Sequence, residues 1–150
     1  MKKKILSRLN GVYYTLFVLM ILVATLLWYL FMHGQLVSFA PQSTVGQAVQ
    51  YIVIAYVIAS IPTALYLFKR LCRKISAYED EQKYALYLKW GIVRMIVIGI
   101  GMILGVAAFY LLQGYQSMIW CAAIAAIGLF FCKPNERKIE LDLLPDDMQK

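Results

Sequence analysis

The sequence predicts an all-α integral membrane protein with four transmembrane helices, both termini on the inner side, and a cytoplasmic helical hairpin between spans two and three. Three observations carry this. Of the 150 residues, 62% are hydrophobic and 15% are charged, a balance outside the range of soluble domains. Four long apolar runs cover residues 11–32, about 48–68, about 91–112 and 116–132. Crossing roughly 30 Å of hydrocarbon takes about 20 apolar residues, so the first three runs suffice and the fourth needs its flanks. Finally, all fifteen Lys/Arg and all eight Asp/Glu fall before residue 9, between 69 and 94, or after 132. The segments 33–47 and 113–115 carry no formal charge. Alternate connections are therefore charged and uncharged, which threads the chain in a single membrane domain over residues 1–150, with a cytoplasmic loop at 69–90 and a tail at 133–150.

The first span follows Lys2, Lys3, Lys4 and Arg8. Its apolar core is longer than the 7–15 residues usual in a signal peptide, which predicts an uncleaved span. Tyr13 and Tyr14 at one end, with Trp28, Tyr29 and Phe31 at the other, suit the two membrane interfaces. The neutral loop 33–47 is modestly apolar and is expected on the membrane surface before Pro41 turns it. Thr44 and Ser43 compete to cap the second helix.

Inside the second span, Ser60, Pro62 and Thr63 form a predicted kink. Pro62 has no N–H to offer the Ile58 carbonyl, and Ser60 or Thr63 is expected to compensate. Lys69, Arg70, Arg73 and Lys74 then supply the positive charge that favours a helix C-terminus. Ser76-Ala77-Tyr78-Glu79 fits a capping box opening the third helix, with Glu79 placed to pair with Lys83. That helix is expected from about residue 77 to 112. Tyr84, Tyr87, Leu88 and Gly91 share one face, and the first three are the expected partner surface, facing Leu71, Cys72 and Ile75 or lying in lipid.

Arg94 opens the third span as an interfacial charge, expected to snorkel to the inner head groups. Gly99, Gly101 and Gly105 follow, the last two as a GxxxG, a spacing that lets another helix approach closely. Ala122 and Ala126 in the fourth span offer the matching small-residue surface, so spans three and four are expected to pack on each other. In the tail, Pro134 suits a first helical turn and Pro145 ends a short surface helix. Four basic and five acidic residues leave the tail at −1.

The same pattern narrows function. No Asp or Glu lies within a span, whereas proton-coupled carriers and intramembrane aspartyl hydrolases depend on such groups. His33 is the single histidine, and Cys72, Cys121 and Cys132 form no CxxC, so no catalytic, cofactor or metal set is expected. The net charge of +7 clusters at span ends, where it sets topology and meets anionic head groups, which argues against nucleic acid. The sequence thus points to a small multi-pass protein of a bacterial cytoplasmic membrane. Its expected role is that of a non-enzymatic accessory or interaction subunit touching lipid, a protein partner or a second copy. The alternative is a small oligomeric transporter or channel using the bend at Ser60, Pro62 and Thr63.

Overall fold

The computed structural model describes residues 2–144. Five helices follow in order: α1 (Lys2–Met32), α2 (Thr44–Ile75), α3 (Asp80–Leu111), α4 (Gln116–Phe131) and α5 (Glu136–Asp142). Among the described residues all regular structure is helical. The first three helices are long and apolar enough to cross a membrane. At 16 residues α4 is about 24 Å long, short of a full crossing. It continues into α5 only through a 79° bend, so the count is three spans, or four if that bent pair is one. Pro145, expected to end the tail helix, lies outside the described residues.

The helices extend beyond their apolar runs because polar flanks prolong them. Lys2 to Arg8 form the first turns of α1, and in the apolar part Thr15 and Thr25 donate their hydroxyls to the carbonyls of Gly11 and Ile21. Ser43, not Thr44, caps α2, its Oγ accepting from the Gly46 N–H at 3.0 Å. The loop before it does not lie free. The Phe39 N–H donates to the Leu111 carbonyl at 2.8 Å, satisfying one of the carbonyls orphaned at the end of α3. Between α3 and α4, Gln113 and Gly114 both take positive φ, 59° and 78°, which closes a tight turn that Gly114 adopts without a Cβ penalty.

Three local expectations need correction. Ser76 does not open α3: it ends α2, and its hydroxyl back-bonds to the Arg73 carbonyl at 2.7 Å. Glu79 stands at the N-cap of α3 without a side-chain cap bond, and Lys83 reaches Asp80 at 3.5 Å instead of Glu79. Pro134 precedes the N-cap residue Asn135 and is not in the first turn of α5.

The hub of the bundle is α3, which touches α1, α2 and α4. Lipid tails are as apolar as leucine, so helices in a membrane associate by close packing more than by water exclusion. The contacts of α3 show how this is met. Its centre is filled by Met95, Ile98 and Met102, each at most 1% exposed, against Leu129 and Ala125 of α4. A second cluster near the neutral end joins Val53 and Val57 to Leu112 and Met118. The antiparallel arrangement collects the N-terminus, the α2–α3 turn and α5 at one end, which holds every charge of the described residues.

Candidate functional site

The glycines of α3 do not form one seam. Helical geometry rotates 100° per residue, so Gly99 faces away from Gly101 and Gly105. A Cβ on Gly99 would meet Leu16 of α1 at 2.9 Å, and one on Gly101 would meet Tyr56 of α2 at 3.3 Å. Only Gly105 opposes α4, where a Cβ would lie 2.8 Å from the Ala122 nitrogen, so backbone meets backbone. The expected contact of spans three and four is thus present at Gly105 and Ala122. Gly101 serves α2, and Ala126 is half-buried beside the fully buried Ala125.

At Ser60, Pro62 and Thr63 it is the expected hydrogen-bond compensation that differs. α2 runs unbroken through Pro62. Pro62, Thr63 and Ile58 are all exposed, so the missing hydrogen bond faces outward from the bundle. Ser60 approaches the Val57 carbonyl at 3.5 Å, not that of Ile58. The polar tie that does join α2 to α3 was not foreseen: Tyr56 donates to the Val97 carbonyl at 2.9 Å.

Of the expected partner surface, Tyr87 is 3% exposed and covered by the chain itself, so it is no surface residue. Its ring meets Phe68 edge-on at 5.4 Å, and its hydroxyl donates to Asp142 Oδ2 at 3.0 Å. Tyr84 and Leu88 are half-buried against the same cluster, which also takes in Leu71, Cys72 and Ile75. The hairpin therefore closes on itself, and α5 seals it by burying Ile139 and Leu143. Burial first, then the Asp142 carboxylate, drive the Tyr87 phenol well above its ordinary pKa. The same two causes push the neighbouring Cys72 thiol up to about 12. Lys2 and Glu140 add an exposed ion pair at 2.9 Å, worth little by itself.

Arg94 is the main departure. It is 8% exposed and packs inside the chain, its guanidinium carbon 3.7 Å from the centroid of the Phe68 ring. Such a contact is worth about 2 kcal/mol when desolvated. No carboxylate pairs with it among the described residues, and its Nε is buried without a hydrogen-bond partner. An Nε donor hidden without an acceptor is costly.

Beside Arg94 runs a groove of about 630 Å³ between α2 and α3. Ala64, Leu67, Phe68 and Leu71 form one wall, and Val93 and Val97 form the other. Arg70 and Lys74 stand with Arg94 at the charged end, Trp90 flanks the mouth, and Ser60 and Thr63 lie at the far end. Leu67, Trp90 and Val93 are all at least 36% exposed, so the groove opens sideways. Its lining contains no acidic residue.

The pairs Arg70/Lys74 and Trp90/Arg94 were the available sequence signal. Each is an i, i+4 pair, and folding the hairpin about residues 76–79 sets them side by side. A second cavity at the neutral end, lined by Pro41, Gln42, Gln47 and Gln50, is closed in part by Gln50 donating to the Pro41 carbonyl. Among the described residues, no group of three or more His, Cys, Asp or Glu is placed to hold a metal ion. Compared with protein-family models, curated proteins and solved structures, the chain matches none.

Proposed function

We propose that this protein acts by contact within the membrane, as a non-enzymatic accessory or interaction subunit. In this reading it has four spans, keeps both termini and the α2–α3 turn in the cytoplasm, and resides in a bacterial cytoplasmic membrane. The positive residues flanking the apolar runs support the orientation, since such residues are retained inside. The observation that carries the contact role is the bundle centre. Met95, Ile98, Met102 and Leu129 fill it at no more than 1% exposure, and Leu112 and Met118 close the neutral end as tightly. A close-packed apolar centre offers no wet path and no reacting groups, whereas an exposed flank and a basic end offer surfaces to bind. The partners that suit it are lipid, anionic head groups at the inner face, and a membrane protein or second copy.

A small transporter is the second reading, favoured by the groove reaching Ser60 and Thr63. Purification of the full chain in gentle detergent, followed by reconstitution alone into vesicles, separates the two. The contact role expects a stoichiometric protein or lipid retained on purification and no solute flux above empty vesicles. Saturable flux from the bare chain overturns it.

A further inference from the structure

We propose that the α2–α3 groove seats one anionic phospholipid, its phosphate among Arg94, Arg70 and Lys74 and one acyl chain along the apolar walls. The inference deepens the contact reading, on which it rests, by naming a ligand for one surface.

Four observations converge. Arg94 is more than nine-tenths buried, lines the groove, and has an Nε with no acceptor. The guanidinium has no carboxylate partner among the described residues, and a phosphate supplies that counter-charge with oxygens that suit its planar donors. Three cations and no acid line the groove, so its charge is complementary to an anion. Side chains lean toward their helix N-terminus, which tips Arg94 on α3 toward the charged end and tips Arg70 and Lys74 on antiparallel α2 toward Arg94. Finally, length fits: ten residues of α2 from Arg70 to Ser60 rise about 15 Å, the depth of one leaflet of a roughly 30 Å hydrocarbon core. Free phosphate would leave those apolar walls uncovered, and an uncharged lipid would leave Arg94 without a counter-charge. Trp90 at the mouth sits where an indole is favoured, between head group and chain.

Trp90 also reports on occupancy. Trp28→Phe with Trp120→Phe leaves it as the one tryptophan, since the chain has three. This full-length protein is placed in phosphatidylcholine vesicles containing a small, equal fraction of brominated phosphatidylglycerol or brominated phosphatidylcholine, and Trp90 quenching is measured. The expected preference for the anionic lipid is roughly fivefold or more, as for a single basic contact at an anionic surface. Arg94→Gln is expected to bring the ratio close to one. Arg70→Gln with Lys74→Gln alters exposed positions only and is expected to at least halve the preference, which keeps the test valid should Arg94→Gln misfold. Lys3→Gln with Lys4→Gln removes two cations at the same end but outside the groove, and should leave the ratio unchanged. Equal quenching by both lipids overturns the proposal, as does an equal loss in the Lys3/Lys4 control, which would mean diffuse attraction. Loss of the preference in excess inorganic phosphate overturns it too, in favour of a free-phosphate site. Each of these failures leaves the flux and retention test of the contact role standing.

Discussion

Replacing Gly105 by alanine adds one methyl group where α3 and α4 touch. That methyl would lie 2.8 Å from the Ala122 nitrogen and 2.9 Å from its Cα and Cβ. Favourable heavy-atom contact lies at about 3.5–4.0 Å, so α4 has to withdraw by roughly 0.6 Å or more. No flexible side chain can absorb this, because the obstacle is backbone. Withdrawal would also loosen Met118, Ala125 and Leu129, all 0% exposed. Overpacking of this kind costs about 1–3 kcal/mol. Alanine simultaneously gains about 0.8–1 kcal/mol of helix propensity over glycine. Gly11 provides the control, because a Cβ there meets nothing within 4 Å. The propensity gain is common to both sites and drops out of the comparison. Gly105→Ala should therefore be about 1–3 kcal/mol less stable than Gly11→Ala. Reversible unfolding in mixed micelles, followed by far-UV circular dichroism, measures the difference. Two variants within about 0.5 kcal/mol of each other, the usual additivity error, would refute the backbone contact.

Other expectations concern the charged end and the α2–α3 interface. Tyr87→Phe removes the donor to Asp142; a bond to a charged group is worth about 1.5–3 kcal/mol, reduced here because Asp142 is half exposed, so hydrogen exchange across residues 136–144 should rise severalfold. Lys2→Ala, which breaks only an exposed ion pair, should leave that exchange nearly unchanged. Because the Cys72 pKa is raised to about 12, the thiolate is scarce throughout neutral and mildly alkaline pH; maleimide should therefore label Cys72 in the folded protein far more slowly than after denaturation, and equal rates would contradict its burial. Tyr56→Phe deletes the bond to Val97, and interhelical bonds in membranes average about 0.6 kcal/mol, so the unfolding midpoint should fall only slightly.

What was legible in the sequence was what depends on long runs. Apolar stretches of about 20 residues place the neutral-side ends of α1, α2 and α3 to within a few residues, but miss the charged-side ends at Lys2, Ile75 and Asp80 because polar flanks prolong each helix there; charge placement identified the end where they gather. The misses have local causes. Ser76 fits the capping pattern, but its hydroxyl satisfies a carbonyl of the preceding helix, a competition the pattern cannot reveal. The GxxxG reports close approach without saying to which helix, and α3 has a neighbour on three sides. Tyr87 reads as surface because its cover, Asp142, stands 55 residues away in a helix of seven residues. Arg94 reads as a snorkelling charge because a sequence does not show that Phe68 would lie beneath it. Once α2 and α3 are set antiparallel, the same i, i+4 spacings give the basic groove directly.

The proposed placement of all charge on the cytoplasmic side underlies the orientation and the contact role together. Single cysteines at two exposed positions test it, in a chain whose Cys72, Cys121 and Cys132 are replaced by alanine: Gln42→Cys in the neutral loop and Glu79→Cys at the α2–α3 turn. A membrane-impermeant maleimide applied to intact cells is expected to label Gln42→Cys at once and Glu79→Cys only after the membrane is opened. Labelling of Glu79→Cys from outside, with Gln42→Cys protected until lysis, would contradict the orientation from which the proposed role follows.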